Sequence, residues 1–491
     1  MKIASFAGSR GIRRLDIVAA IIASLATGAL LLTPIWIAAG VTGAAIIALL
    51  VMRYPILGLA LTILLLPFGL VAARIGGISG VSPAELILIL TIVVLTARAV
   101  ADQEKRLQMP FIAIGPSILV CVMLFSASQA AATDYAAKEV ARWLEVVVAL
   151  IVTRTMLDSG RALRTLLIVQ SVVISIEVAL GLYQFLFQVG PPSFVIGSFL
   201  RAYGTFGQPN PYAGYLVVAG LPLVFWSAGQ VFRWITGAAK PAMWELFVVV
   251  ASGGAGVGLL LSLSRGAWLG VAVGTAIAII VLQRQIGNVV RLVFGIGGLV
   301  GLAAALGLIP EYVLQRLQPA LAYFRWFDPA DVVPTAINWS IVERMAHWDA
   351  ARRMFLDSPI LGVGPGSYVI EYQHYAILPW WTDPLGHAHN MYLHMLAELG
   401  LIGLFVYVAM VASWIVLSVV VVRSDATDPW LFLKAGVLAT VVAVSVHSVF
   451  DNLFVQGLNI QLAIWLGVAA TLYSARNRTH NTSKLQVGFE Q

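Results

Sequence analysis

Three histidines and a glutamate fall within twelve residues of this chain. They sit in Gly386-His387-Ala388-His389-Asn390-Met391-Tyr392-Leu393-His394-Met395-Leu396-Ala397-Glu398. The cluster stands where a long polar segment meets an apolar one. In a chain that is otherwise hydrocarbon-like, an ionisable group at that border points to function. His389 precedes Asn390, a residue type that suits the N-cap of a helix starting at Met391. The positive end of that helix would face the cluster and favour an anion, a phosphate in particular. A neutral imidazole there could take a proton from a hydroxyl near pH 7. The structural alternative is a histidine that only hydrogen-bonds at the interface.

His387, His389 and His394, with His374 as a possible fourth ligand, also invite a metal reading. His-x-His is a weak signal, and neither a cysteine pair nor His-Glu-x-x-His supports it. No metal and no cofactor is therefore expected. His394 and Glu398 are four apart on one helix and can simply pair with each other. Two arginines stand in short, structured segments. Arg201 opens Arg201-Ala202-Tyr203-Gly204-Thr205-Phe206-Gly207-Gln208-Pro209-Asn210, and Arg265 sits in Leu261-Ser262-Leu263-Ser264-Arg265-Gly266-Ala267. An acid from another span could neutralise them. A guanidinium fork also matches phosphate oxygens two at a time. Arg201 and Arg265 beside a helix N-terminus would make a diphosphate clamp, and Arg344 could join it or gate it.

The elements that must position these residues are membrane helices. Of the 491 residues 60% are hydrophobic and 11% charged, and the mean hydropathy is +0.91. A soluble domain carries about 25% charged residues. The fold class expected is an all-α polytopic membrane protein. Fourteen apolar runs qualify as spans: 15–33, 35–53, 55–73, 84–100, 112–131, 138–157, 163–187, 212–232, 243–264, 266–283, 289–308, 391–422, 431–450 and 455–474. The first two meet at Thr33-Pro34 and could be a re-entrant pair, which gives 12–14 transmembrane helices. The basic N-terminus reads as the flank of an uncleaved first helix rather than a signal peptide. With the N-terminus in the cytoplasm, twenty of the thirty lysines and arginines fall on cytoplasmic segments, as the positive-inside rule asks. The net charge of +7 is then a topological signal, and no nucleic-acid partner is implied. The lone cysteine, Cys121, excludes an intramolecular disulfide.

Four parts follow. An N-terminal bundle of about eleven spans occupies 1–308, a large extracytoplasmic loop 309–390, C-terminal helices 391–475 and a cytoplasmic tail 476–491. Within the loop, Ser340 and Glu343 read as a capping box for a helix over about 341–355. Ile341, Met345, Trp348 and Phe355 fall on one side of it, expected on the membrane surface or against the bundle. Arg352 and Arg353 read as a solvated or headgroup-facing edge. The turn Leu361-Gly362-Val363-Gly364-Pro365-Gly366 follows, with Gly364 and Gly366 in supporting roles. Trp380 and Trp381 suggest a dip into the interface.

Taken in order, four motifs resemble the O-antigen ligase and polymerase superfamily. They are Arg-x-x-Gly-Thr-Phe-Gly-x-Pro-Asn from Arg201, Leu-Ser-Leu-Ser-Arg-Gly-Ala from Leu261, Asp-Ser-Pro-Ile-Leu-Gly-Val-Gly-Pro-Gly from Asp357, and His-Asn-x-Tyr-Leu-x-x-Leu-Ala-Glu-Leu-Gly from His389. The resemblance covers roughly residues 200–455. It implies a C-type glycosyltransferase-like helical bundle in the bacterial inner membrane, with its site on the periplasmic side. It implies transfer of a glycan from a polyprenyl diphosphate donor to a glycolipid or glycan acceptor hydroxyl, with inversion and without metal. Carried over by motif, His389 is the family's proposed base, and Arg201 and Arg265 match its diphosphate-binding arginines. Asn390, Glu398, His387 and His394 are read as support. A ligase acting on lipid A–core is favoured; a polymerase or a protein oligosaccharyltransferase shares the donor side. A transporter of lipid-linked glycans would scatter charge through the spans, whereas here it gathers on one side.

Overall fold

The computed structural model describes residues 35–76, 80–101, 106–283, 326–335, 338–377 and 379–487. The runs expected at 15–33 and 289–308 lie outside them. Within them the chain is almost entirely helical, because lipid offers the backbone no other hydrogen-bond partner. The helices are α1 (Ile35–Arg53), α2 (Ile56–Leu65), α3 (Gly69–Gly76), α4 (Pro83–Ala101), α5 (Ile114–Ser126) and α6 (Thr133–Met156). Next come α7 (Gly160–Phe187), α8 (Pro209–Ile235), α9 (Met243–Leu261) and α10 (Arg265–Gln283). The outer pair is α11 (Trp339–Asp357) and α12 (Tyr368–Tyr375), and α13 (Met391–Arg423), α14 (Leu431–His447) and α15 (Leu458–Val487) close the chain. Among the described residues eight helical stretches are long and apolar enough to cross a membrane, and shorter apolar helices occupy 40–53, 431–447 and 458–474. The last helix runs on to Val487, into the segment read as a tail.

Two devices fix the end of the bundle that carries the site. The first is a stripe of small residues. Gly266, Gly270 and Gly274 recur every fourth residue on α10 and meet His447, Ala443 and Ala439 of α14. A Cβ at Gly270 would lie 2.5 Å from the Ala443 carbonyl oxygen, and one at Gly274 would lie 2.3 Å from that of Ala439. Close backbone approach of this kind drives helix association where lipid removes the hydrophobic force. It locks Arg265, at the start of α10, beside the end of α14.

The second device is a break in α13. Gly400 stands at φ 63°, ψ −160° inside that helix. Its amide neighbour Leu401 donates to the Pro359 carbonyl at 2.9 Å instead of continuing the helix. The carbonyls of Ala397 and Glu398 are thereby free to accept from Val363 and Gly364, both at 2.9 Å. Gly364 and Gly366 take φ 97° and 69°, which L side chains rarely adopt. The glycine turn is thus stitched onto the N-terminal part of α13, and α11 and α12 are held over it.

Two loop expectations need correction. The helix begins at Trp339 after Asn338, which makes no side-chain cap bond. Ser340 therefore lies inside the helix and caps nothing; its hydroxyl oxygen accepts instead from Arg265. The buried side of α11 is Val342, Met345, Ala346, His347, Ala350, Ala351 and Met354; of the expected stripe Met345 is buried, and Ile341, Trp348 and Phe355 are half-buried. Trp381 is 4% exposed and packs with Val342 and Ala346 in the loop's own core, while Trp380 stays exposed; the paired dip does not form. Arg352, exposed, and Arg353, half-buried, both pair with Asp349.

Candidate functional site

Asn390 caps α13 as its residue type suggests. Its side-chain oxygen accepts from the amides of Tyr392 and Leu393, both at 3.0 Å. The start of α13 is also pinned to the end of α14. The Met391 amide donates to the Ser448 carbonyl at 2.8 Å, and the Tyr392 hydroxyl donates to that of Ser445 at 3.0 Å. His389 sits between cap and loop in the left-handed region, at φ 50°. A non-glycine residue pays strain there, and such positions cluster at functional sites. Three contacts hold it. Its amide donates to His387 Nδ1 at 3.2 Å, its carbonyl accepts from Trp348 Nε1 at 3.2 Å, and its Nδ1 lies 3.1 Å from Asp451 Oδ1. The other ring nitrogen, Nε2, is buried and has no protein partner.

Asp451 is the hub that ties the site together, and the spacing argument did not find it. It lies between α14 and α15 and is 5% exposed. Its Oδ2 accepts from Asn210 Nδ2 at 2.8 Å and faces Arg344 Nη2 at 3.9 Å. Burial by itself would raise this carboxyl. The bond from His389, with His387 and Arg344 close by, instead holds it well below the usual carboxylate range. An ionised carboxylate only accepts, so the facing His389 Nδ1 carries the hydrogen; in a neutral ring Nε2 then holds the lone pair. The signal available in the sequence was an acid, followed by an asparagine, at the break between the last two spans.

The three arginines converge around this hub. Arg201 donates from Nε to the Ser262 carbonyl at 2.8 Å and from Nη2 to Asn210 Oδ1 at 2.8 Å. Asn210 therefore bridges Arg201 to Asp451. Arg344 donates from Nε to the Phe450 carbonyl at 2.9 Å and from Nη1 to the Ser340 carbonyl at 2.6 Å. Arg265 Nη2 reaches the Ser340 hydroxyl at 3.3 Å. Burial first, then the charges of Arg344 and Arg265, push the Arg201 guanidinium down to about 9, with Asp451 opposing. A guanidinium that feels two others more than the nearest acid sits in a net positive field. That field suits an anion with several oxygens.

The sequence-derived residues divide cleanly. His387, His389, Asn390, Arg201, Arg265 and Arg344 come together. His387 is pushed down to about 3, by burial first and then by His389, so it stays neutral at working pH. Glu398 and His394 lie apart from this network. Glu398 accepts from the amides of Gly366 at 2.9 Å and Tyr368 at 3.0 Å, and His394 Nε2 stands 3.6 Å from it. His374 is exposed and faces Glu371. The metal-capable group that does form is His387, His389 and Asp451, whose ligand atoms lie within 4.8 Å of one another.

Residues 246–408 match the family model for O-antigen ligase. That stretch runs from α9 into α13 and contains Arg265, Arg344, His387, His389 and Asn390. Arg201 and Asp451 fall outside it. The resemblance read from the motifs holds over this stretch, and it indicates a membrane glycosyltransferase-type enzyme acting in polysaccharide biosynthesis. No curated protein matches the chain.

Proposed function

We propose that this protein transfers a glycan from a polyprenyl diphosphate donor to an acceptor hydroxyl, with lipid A–core or a similar glycolipid as acceptor. The site would face the periplasm from the bacterial inner membrane, the side on which the minority of arginines falls. The observation that carries the reading is His389: one ring nitrogen held by Asp451, the other free, beside three gathered arginines. The donor diphosphate sits against Arg201, Arg265 and Arg344. His389 Nε2 removes the acceptor proton as the acceptor oxygen bonds to the anomeric carbon. The bond from that carbon to the diphosphate oxygen breaks on the opposite face, so the centre inverts. The lipid diphosphate leaves with the electron pair, and the arginines stabilise the charge it gains. Asp451 keeps the His389 tautomer and steadies the imidazolium that forms, the role a buried carboxylate plays in hydrolytic triads. His387, His389 and Asp451 serve this chemistry without a metal.

The test is reconstitution. Purified protein in lipid, with polyprenyl diphosphate glycan and a truncated glycolipid acceptor, should yield the extended glycolipid with an inverted linkage by mass and NMR analysis. Exhaustive chelation should leave the rate unchanged. Release of free glycan only, or loss on chelation with rescue by zinc, would overturn the reading.

A further inference from the structure

Two tryptophans stand on the loop side of His389, where the proposed reaction gives them no role. Trp348, on α11, donates its indole N–H to the His389 carbonyl, so its ring is fixed in orientation against the base. Trp326 lies 6.3 Å from it between ring centroids, at an interplanar angle of 34°. Trp326 is 53% exposed, although its neighbour Phe327 packs into the loop core with Val342 and Trp381. The backbone is therefore anchored while the indole is left open. An exposed indole beside a rigid one, next to a base, is a flat apolar surface with polar edges. A pyranose ring has the complementary shape: its axial C–H groups form an apolar face, and its hydroxyls point outward to water and to hydrogen-bond partners.

We propose that Trp326 and Trp348 form a stacking platform for a pyranose ring of the acceptor, so that the acceptor is a glycan rather than a protein side chain. The assignment to the acceptor rests on the reaction proposed above. The base must touch the acceptor hydroxyl, and Trp348 is bonded directly to His389. Arg344, by contrast, faces Asp451, and Arg201 reaches it by way of Asn210; with Arg265 they define the donor's side. A serine or threonine acceptor would offer no ring to this surface.

The experiment uses the full chain in nanodiscs, as wild type, Trp326→Ala and Trp326→Phe. Donor and acceptor are titrated separately in the transfer assay. Saturation-transfer NMR is recorded in parallel with a lipid-free, phosphate-free core oligosaccharide released from the cell's own glycolipid. Trp326→Ala should raise the acceptor KM about tenfold, with the loss falling on KM rather than kcat, and donor KM should not move. Trp326→Phe, which keeps a flat ring, should recover most of the affinity. Ring-face C–H signals of the oligosaccharide should be strong with wild type and weak with Trp326→Ala. An unchanged acceptor KM and NMR signal in Trp326→Ala, or a rise in donor KM instead, would overturn the platform while leaving the transfer reaction standing. Oligosaccharide binding that needs Trp326, without any transfer by wild type, would sink the reaction and keep the platform as a glycan site.

Discussion

Two of the buried carboxylates, Glu398 and Asp451, are used in opposite ways. Glu398, 1% exposed, spends both oxygens on the main chain, accepting from Gly366 and Tyr368. It closes a knot in which the broken helix α13 and the glycine turn satisfy each other's backbone groups. Asp451 spends its oxygens on side chains instead: the ring of His389, the amide of Asn210 and, at longer range, Arg344. Of those side chains His389 keeps its second ring nitrogen without a protein partner. A buried acid that ties down backbone holds a shape, whereas one that orients side chains with unspent donors and acceptors prepares a reaction. The two belong to separate networks; Glu398 was placed with the site because it follows His389 closely in the sequence.

The contrast can be broken most forcefully at Asp451. Asp451→Asn keeps size and polarity but loses the charge that fixes the His389 tautomer. Transfer should fall by about 10²–10⁴-fold, with folding retained, as judged by the elution profile and Tm of the purified protein. A turnover near wild type would place Asp451 with Glu398 as a structural acid. Arg265→Lys comes next. It keeps the charge and loses the planar fork, so transfer should drop about tenfold or more. A lysine variant with full turnover would mean that Arg265 only braces Ser340.

At Glu398 the expected effect moves from rate to stability. Glu398→Gln leaves one acceptor where the knot needs two, which should cost about 1–3 kcal/mol. A thermal unfolding scan should register it as a lower Tm, with the KM for donor unmoved. A change in donor KM at unaltered Tm would put Glu398 in the site after all. The smallest effect concerns pH. Burial first, with the neighbouring His389, His387 and Arg344, pushes His347 down to about 2. Its unfolded value is near 6.5, so between those values the unfolded chain binds the extra proton. Stability is therefore full above about pH 6.5 and is lost as the pH falls below it. His347→Gln should flatten the decline in Tm between pH 7 and pH 5; an unchanged slope would rule His347 out as its source.

Much of this was legible before any coordinates. The apolar runs gave the described spans to within a few residues, because a lipid-exposed helix must be long, apolar and internally hydrogen-bonded. Asn390 was legible as a cap because its signal is local. The Ser340–Glu343 pattern is equally local but misled, since α11 starts one residue before Ser340 and Arg265 claims its hydroxyl. Asp451 was not legible by spacing. It follows His389 by sixty-two positions, and contacts such as Met391–Ser448 and Tyr392–Ser445 bring the two segments together. The glycine stripe Gly266, Gly270, Gly274 was readable as a pattern, yet its consequence, Arg265 set beside the end of α14, depends on which helix it meets.

The central claim is that His389 moves the proton while the arginines hold the donor. The direct measurement is transfer by His389→Ala in the reconstituted system, with binding of the lipid diphosphate donor measured on the same sample. The account predicts a fall in transfer of at least about 10²-fold, with donor binding retained. Near-normal turnover, or loss of donor binding together with transfer, would contradict it.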